Sequence, residues 1–364
     1  MLHPRLTEAE RASECEATQR AAGSFPAGAA AVLYTSGTTG RARGAVLTRS
    51  ALLASAAANA ANLGWQDDDC WLLAMPVARV GGLSIVTRCL AARRALALAP
   101  PFDAAALPQW LERWRVTQLS LVPTMLTLML DAHPGWQAPS HLRVLLLGGA
   151  AASAGLLARA AEHRVPIVIT YGCTETCSQV VATPYARRFD AATCGAGRPL
   201  AGVELRVDAG RILVKGPMRM AGYLGEAPLA KDTWFDTGDI GELDAQGALH
   251  VHARRADLIV TGGENVYPAE VECVLESFPG VKSAAVFGVA NETWGQTVAA
   301  ALISKGPQAL DELALRSHLL AWLAPHKRPR HICFLPALPQ TTAGKLDRLA
   351  LQSLAPLLRP LRMV

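Results

Sequence analysis

Hydroxyl groups and glycines are concentrated in one short stretch of the chain, YTSGTTGRARG, at residues 34–44. The backbone N–H groups of such a flexible segment can converge on one anion, and serine and threonine hydroxyls add further donors. An arginine adds a permanent positive charge. The stretch therefore predicts a phosphate-binding loop formed by Thr35, Ser36, Gly37, Thr38, Thr39, Gly40 and Arg43.

Two better-known phosphate loops do not match the spacing. A Walker A loop requires GxxxxGK[ST], and counting from Gly37 the sixth position is Ala42. The dinucleotide-binding pattern GxGxxG is also absent from the stretch. Taken alone, these residues leave a polar surface turn without a ligand as the alternative.

The segments around the loop predict the elements that hold it. Apolar residues 29–34 predict a buried strand leading into the loop, and alanine-rich residues 50–64, ended by Gly64, predict the helix that follows. Strand–helix alternation continues to about residue 172, which is typical of a parallel, doubly wound α/β sheet. From about residue 203, alternating runs separated by turn residues predict antiparallel hairpins.

A second, smaller α+β unit is predicted from about Arg255 onwards. Its first helix is expected to begin at Pro268, and its last strand leads into the polar loop PQTTAGK. About one hundred residues are enough for such a unit to fold as a domain.

Composition and charge exclude several classes of protein. The 364 residues are 51% hydrophobic and 18% charged, which is typical of a globular protein. The net charge of +5 is dispersed without a long basic run, so a nucleic-acid partner is not expected. No apolar window is long enough for a membrane span, and the N-terminus has no signal-peptide pattern. The eight cysteines form no CxxC pair or zinc set, so a cytoplasmic protein with reduced thiols is expected.

Five further motifs follow the loop in order: YGCTE (171–175), TGD (237–239), ARRADLIVTGGENVYPAEVE (253–272), WGQ (294–296) and TTAGKLDR (341–348). With residues 34–44, they resemble the signature motifs of the adenylate-forming superfamily, which includes acyl-CoA synthetases, carrier-protein adenylation domains and luciferases. The resemblance implies an α/β fold in which a large, sheet-based N-terminal domain (1–254) precedes a small, mobile α+β C-terminal domain (255–364).

The resemblance also implies a reaction. In this family a carboxylate attacks the α-phosphate of ATP with release of pyrophosphate, and a thiol such as that of CoA then displaces AMP. Bringing two anions together requires charge neutralisation and alignment. By resemblance, residues 35–40 with Arg43 cradle the β- and γ-phosphates; the family usually has lysine at position 43.

The nucleotide's other contacts are implied in the same way. By resemblance, Tyr171 stacks on adenine beside the turn formed by Gly148, Gly149 and Ala150. Thr174 donates to the α-phosphate, and Glu175 holds Mg²⁺, a cation that prefers oxygen ligands. Asp239 accepts hydrogen bonds from the ribose hydroxyls, and Arg254 assists there.

The smaller unit is expected to supply groups by moving. Lys345 in the family motif neutralises the carboxylate and α-phosphate during adenylation, and a swinging lobe can remove it before thiolysis. The hinge is expected at Ala256, and Gly262 and Gly263 are expected beside the thiol tunnel.

Residues 71–90, 119–126 and 145–151 most resemble o-succinylbenzoate–CoA ligases of menaquinone synthesis. These segments line the acyl pocket in the family, so Arg79, Gly81 and Gly82 are expected there. Arg79 replaces the histidine of the family's PxxH motif. One hypothesis is that it pairs with a carboxylate of the substrate; the alternative is that it turns outward.

Only some thirty residues precede the loop, whereas family members have a much longer segment there. The chain is therefore expected to be a naturally shortened member, the product of a trimmed gene model or a decayed copy, and the retained Lys345, Glu175 and Asp239 argue against decay. The shorter start would leave part of the sheet uncovered, and a partner or a homodimer would cover it. The expected partners are a small carboxylic acid, ATP and CoA. A carrier-protein phosphopantetheine arm is the alternative acceptor, and a non-catalytic member is the alternative from another class.

Overall fold

The computed structural model of the chain describes residues 28–36, 42–191, 195–230, 232–254, 257–306, 310–341 and 346–361, with only the backbone described at Ser36, Ala42 and Arg254. None of the helices formed by these residues has the length and apolar character needed to cross a membrane.

The described residues form eight α-helices, which we number in chain order: α1 (Arg49–Leu63), α2 (Val80–Ala92), α3 (Leu107–Arg113), α4 (Pro123–Ala132), α5 (Ala154–Glu162), α6 (Pro268–Ser277), α7 (Glu312–Trp322) and α8 (Arg348–Gln352). They also form twenty strands: β1 (Ala29–Ser36), β2 (Ala42–Thr48), β3 (Cys70–Leu73), β4 (Ala95–Leu98), β5 (Gln118–Leu121), β6 (Val144–Gly148), β7 (Ile167–Cys173), β8 (Ser178–Ala182), β9 (Arg198–Pro199), β10 (Glu204–Asp208), β11 (Arg211–Lys215), β12 (Gly222–Tyr223), β13 (Phe235–Leu243), β14 (Leu249–Arg254), β15 (Ile259–Thr261), β16 (Glu264–Val266), β17 (Val281–Asn291), β18 (Gly295–Ser304), β19 (His331–Phe334) and β20 (Arg359–Pro360).

The largest sheet has the strand order β4-β3-β5-β6-β7-β8-β9. Its neighbouring strands from β4 to β7 pair in parallel, whereas β8 and β9 are added antiparallel. Helices connect the parallel strands, so the predicted α/β sheet is confirmed for this part of the chain. Strand β5 is completely buried, as expected for a parallel strand covered on both faces.

A small sheet, β1-β2-β12, includes the described residues at both ends of the predicted phosphate loop. The predicted helix after the loop is confirmed as α1, and the strand β2, which was not predicted, lies between them and pairs antiparallel with β1. Ala45, Val46 and Leu47 of β2 are buried. Their run of only three apolar residues is too short to predict a strand without knowing its pairing partners.

The predicted hairpins after residue 203 are confirmed in the four-stranded antiparallel sheet β10-β11-β13-β14. Strand β13, which includes the TGD motif, was not predicted; it is one of the two central strands of this sheet.

Residues 259–360 form a six-stranded sheet in which β17 and β18 make a long antiparallel hairpin. Helices α6 and α7 pack on it through a core that includes Val271, Leu275, Leu315 and Leu319. Helix α6 begins at Pro268, as predicted, because proline is favoured in the first turn of a helix. The domain boundary between residues 254 and 255 stays a prediction.

Candidate active site

A buried carboxylate stands just beyond the carboxyl end of β7. Glu175 lies in the single 3₁₀ turn Thr174–Thr176, which follows β7 directly, and is only 8% exposed. Ligands of open α/β sheets bind at this edge, outside the carboxyl ends of the strands. The Thr174 hydroxyl, next to it, makes no hydrogen bond with the described residues, which leaves it available to a ligand.

Tyr223 of β12 contacts this carboxylate. Its hydroxyl donates to Oε1 of Glu175 over 2.9 Å. Burial and the neighbouring Glu175 charge raise the pKa of Tyr223, so the hydroxyl keeps its proton and acts as a donor. The hydrogen bond uses one of the carboxylate's several lone pairs, so Glu175 retains capacity to bind a cation.

Arg43 of β2 lies on the other side of Tyr223. The carbon at the centre of its guanidinium group is 3.4 Å from the centroid of the Tyr223 ring, a cation–π contact. Its Nη2 donates to both carboxylate oxygens of Glu226, at 2.8 and 2.7 Å, and its Nε donates to one of them at 3.1 Å. Donating these hydrogen bonds to the Glu226 carboxylate raises the pKa of Arg43 further above its ordinary value. The predicted phosphate-binding charge is therefore present, and it is paired with a carboxylate.

Tyr171 and Asp239 form a second pair. Tyr171 lies near the end of β7, and its hydroxyl donates to Oδ2 of Asp239 in β13 over 2.7 Å. Burial and the charge of Asp239 raise the pKa of Tyr171. The structure thus brings together the predicted adenine-stacking residue and the predicted ribose ligand, which are 68 positions apart in the chain.

The turn at residues 148–150 follows β6, beside the Tyr171 strand. Gly148 pairs with Thr170 of β7, and a Cβ atom on it would lie 2.3 Å from the Thr170 hydroxyl oxygen. Gly149 has φ of +81°, a conformation that favours glycine. These glycines therefore let the turn that contains Ala150 lie against β7, next to Tyr171.

The start of the predicted phosphate loop is described as far as the end of β1. The Thr35 hydroxyl approaches the backbone oxygen of Arg43 at 3.4 Å, and Ser36 pairs with Ala42 across the hairpin. Gly37, Thr38, Thr39 and Gly40 lie outside the described residues, as does the side chain of Ser36.

The candidate acyl-pocket residues lie at the beginning of α2. Arg79 is the N-cap residue, and its side chain forms no ion pair or hydrogen bond with the part of the chain that is described. Cβ atoms on Gly81 and Gly82 would come within 2.7 Å of the Met75 side chain and 2.3 Å of the Pro76 carbonyl oxygen. These two glycines are therefore needed for close packing of the helix start, whether or not they also contact a ligand.

The candidate residues of the smaller unit are only partly described. Gly262 and Gly263 form the β15–β16 turn with φ of +58° and +84°, and the backbone N–H of Gly262 donates to the Trp294 carbonyl over 2.9 Å. Ala256, Lys345 and the side chain of Arg254 lie outside the described residues. In the backbone, Arg254 pairs with Asp239 across β13 and β14.

The donor set around Glu175 fits a magnesium ion that is bound mostly by a nucleotide. Among the described residues, no cluster of three or more His, Cys, Asp or Glu side chains could hold a metal. Mg²⁺ commonly uses one or two carboxylates together with phosphate oxygens and waters. A single buried Glu175 carboxylate, joined through Tyr223 to the arginine of the predicted phosphate loop, matches that pattern.

Sequence reasoning did not find Tyr223 or Glu226. Both lie in the segment MAGYLGEAP, which contains no motif that indicates chemistry. Glu226 is 183 positions from Arg43, and only the pairing of β12 with β2 brings them together. A tyrosine between two glycines and followed by an acid is too common a pattern to indicate this contact.

Comparison with known proteins gives a consistent result. The model of the AMP-binding enzyme family matches residues 4–224, and that of the AMP-binding enzyme C-terminal domain matches residues 270–345. The chain is 40% identical over 337 residues to 2-succinylbenzoate–CoA ligase of Bacillus cereus, covering 89% of this chain and 69% of that ligase.

Two structures of o-succinylbenzoate CoA synthetase (MenE) from Bacillus subtilis are similar in fold, each at 35% identity. The complex with the acyl-adenylate intermediate OSB-AMP has a TM-score of 0.79 and covers 88% of this chain and 68% of that one. The complex with ATP and magnesium ion has a TM-score of 0.78 and covers 88% of this chain and 69% of that one.

Proposed function

Because the chain belongs to the family of AMP-binding enzymes, we propose that it is an AMP-forming acid–CoA ligase whose acid is o-succinylbenzoate. In the first step, a carboxylate oxygen of the acid attacks the α-phosphorus of ATP, and pyrophosphate leaves. In the second step, the CoA sulfur attacks the acyl carbonyl carbon, and AMP leaves as the thioester forms.

The observation that carries this proposal is the convergence of two pairs at the carboxyl ends of β6 and β7. Glu175 and Arg43, joined through Tyr223, suit the triphosphate end of a nucleotide, while Tyr171 and Asp239 suit its nucleoside end. The turn at residues 148–150 lies beside Tyr171, where the adenine would stack on its ring. Thr174, between the two pairs, would then donate its hydroxyl to the α-phosphate.

Catalysis by these residues is mostly alignment and charge neutralisation. The Arg43 guanidinium neutralises phosphate charge and presents several N–H donors in a fixed plane. A magnesium ion held by Glu175 and the phosphates would supply further neutralisation of the triphosphate's negative charge. Both effects reduce the repulsion that opposes approach of the acid carboxylate.

The smaller unit is proposed to serve the two steps in turn. Lys345 would neutralise the carboxylate and the α-phosphate during adenylation and then withdraw with the unit, which hinges near Ala256. The β15–β16 turn at Gly262 and Gly263, which has no side chains, would then leave room for the narrow phosphopantetheine arm of CoA.

Two partners and a location remain part of the proposal. A phosphopantetheine arm on a carrier protein is the alternative acceptor, since it presents the same thiol as CoA. A homodimer is one of two proposed ways to cover the sheet, beside another partner, and light scattering of the purified protein tests it. A cytoplasmic location is proposed because ATP and CoA are both supplied there.

The decisive experiment is ATP–pyrophosphate exchange with a panel of aryl and acyl acids. We expect exchange with o-succinylbenzoate, and a CoA thioester with AMP once CoA is added. An Asp239→Ala variant, which loses the proposed ribose ligand, should exchange far more slowly at limiting ATP. If no acid supports exchange, the chain is a non-catalytic member. If a thioester forms only on a carrier protein with a free phosphopantetheine thiol, and not on CoA, the proposed acceptor is wrong.

A further inference from the structure

We propose that Tyr223 is a positioning residue that holds the magnesium ligand Glu175 and the phosphate-binding Arg43 in a fixed relation. The inference rests on the proposed function, and it adds to that function a residue outside the motifs of the sequence analysis.

The side chain of Tyr223 contacts Glu175 through its hydroxyl and Arg43 through the face of its ring. Its hydroxyl donates to Glu175 over 2.9 Å, and its face lies 3.4 Å below the Arg43 guanidinium carbon. A phenol is suited to this because it combines a neutral donor with a flat, electron-rich face. The two oppositely charged side chains are thereby separated by a ring and are not neutralised by direct pairing.

The backbone around Tyr223 is fixed to the two elements that carry these side chains. Met220 N–H donates to the carbonyl oxygen of Glu175 over 2.7 Å, and Leu224 N–H donates to Gly44, the residue after Arg43, over 2.7 Å. Strand β12 itself pairs with β2, Tyr223 opposite Ala45. Backbone hydrogen bonds therefore hold the segment on both sides. They fix the Cα atom of Tyr223 between the elements that carry Glu175 and Arg43.

This arrangement gives Tyr223 a role in metal binding that acts through Glu175. Groups that hydrogen-bond to a metal ligand orient it, and their loss typically weakens metal binding about 10- to 100-fold. Without the hydroxyl, the Glu175 carboxylate can rotate away from the cation, although the ring still supports Arg43.

The test compares nucleotide binding with and without magnesium in the Tyr223→Phe variant, which keeps the ring and removes only the hydroxyl. Isothermal titration calorimetry should show Mg·ATP affinity reduced about tenfold, while the affinity for ATP in the presence of a chelator is unchanged. In steady state, we expect KM for Mg·ATP to rise much more than kcat falls, with partial recovery at high free Mg²⁺.

Two further variants separate positioning from a general structural effect. Tyr185→Phe removes another tyrosine hydroxyl, which makes none of these contacts and accepts a hydrogen bond from Arg143 over 3.1 Å. This variant should leave both affinities unchanged. In a Glu175→Ala background, Tyr223→Phe should have no additional effect on Mg·ATP binding, because the two residues act as one unit.

The proposal is overturned if Tyr223→Phe binds Mg·ATP as tightly as the wild type does. It is overturned equally if the affinities for Mg·ATP and for ATP without magnesium fall by the same factor. It is also overturned if its effect persists in full without Glu175. Failure of the wild type itself to bind Mg·ATP would instead refute the proposed function, and this inference with it.

Discussion

The charge of Arg79 distinguishes it from the histidine that the family resemblance places at this position. Its side chain forms no ion pair or hydrogen bond with the described residues, so its positive charge is free to bind an anion. The proposed acid has two carboxylates, one of which is activated. A guanidinium is well suited to bind the other, because it matches a carboxylate with two parallel N–H donors.

We therefore expect Arg79→Ala to lose selectivity for dicarboxylic acids. The variant should use o-succinylbenzoate at least tenfold less efficiently, since a charge-assisted hydrogen bond is commonly worth about 1.5–3 kcal/mol. Its kcat/KM with 4-oxo-4-phenylbutanoate, which lacks the ring carboxylate, should stay near that of the wild type. Arg113→Ala, at an exposed arginine of α3, is the control. An unchanged ratio between the two acids would show that Arg79 turns outward.

The ion pair between Arg43 and Glu226 opposes the binding of a triphosphate. Both side chains are partly exposed, at 41% and 50%, and a triphosphate that uses Arg43 must replace Glu226 as its partner. Glu226→Gln should therefore lower KM for Mg·ATP, by up to about fivefold, since exposed pairs are worth at most about 1 kcal/mol.

The same reasoning predicts how salt acts on this variant. Because salt screens exposed charges, the difference between Glu226→Gln and wild type should be largest at low ionic strength. Glu204→Gln, which removes an exposed partner of Lys215, should leave KM unchanged. A KM that rises in Glu226→Gln would mean that the glutamate helps to hold Arg43 in its productive position.

The helices and strands that could be predicted are those whose own residues carry the pattern of the element. Helix α1 was predicted nearly to the residue, because alanines, a terminal glycine and polar flanks all agree. Strands β2 and β13 were not predicted because their residues lack a regular apolar alternation, although each pairs with a neighbouring strand in the chain. Strand β12 was not predicted because it has only two residues and pairs with the distant strand β2. The contacts of Tyr223 depend on the pairing of β12 with β2, so they could not be predicted either.

A buried ion pair joins the amino ends of three parallel strands, opposite the candidate active site. Asp69, just before β3, accepts from Arg143 before β6 over 2.9 and 2.6 Å, and from Thr117 before β5 over 2.7 Å. Burial disfavours the charged carboxylate, but the hydrogen bonds from Arg143, Gln66 and Thr117 outweigh it and lower the pKa of Asp69.

Asp69→Asn should therefore destabilise the fold without changing catalysis. Removing one charge of a buried pair commonly costs about 3–5 kcal/mol, which should appear as a lower urea midpoint. Asp67→Asn, two positions away, removes a fully exposed partner of Arg94 and should shift the midpoint very little. Equal shifts in the two variants would show that the buried pair adds no particular stability.

The lowered pKa of Asp69 also predicts a dependence of stability on pH. A carboxyl with a lower pKa in the folded state stabilises the fold above its ordinary value of 3.8, and this contribution is lost as the pH falls through the lower folded-state value. The difference in stability between wild type and Asp69→Asn should therefore shrink as the solution is acidified below that range. A difference that does not change with pH would contradict this assignment.

At the scale of the whole molecule, a charged contact links the two units. Lys282 of β17 donates to Asp131 of α4 over 2.9 Å, and Asp131 also accepts from Arg159 of α5 over 2.6 Å. Because the two steps of the proposed reaction require different placements of the smaller unit, this contact stabilises one placement relative to the other. The side chains of Lys282 and Asp131 are 50% and 33% exposed, so we expect the contact to contribute only modestly to the free-energy difference between the two placements.

We therefore predict that Lys282→Ala changes the two half-reactions in opposite directions. Each should change by at most about fivefold, since the contact is worth no more than about 1 kcal/mol. Acyl-adenylate formation and thioester formation from purified acyl-adenylate can be measured separately by rapid quench. Combining Lys282→Ala with Asp131→Ala should be non-additive, because both remove the same interaction. Lys305→Ala, at the exposed residue that directly follows β18, serves as the control. Half-reactions that slow together, or additive effects, would show that the contact does not set the balance between placements.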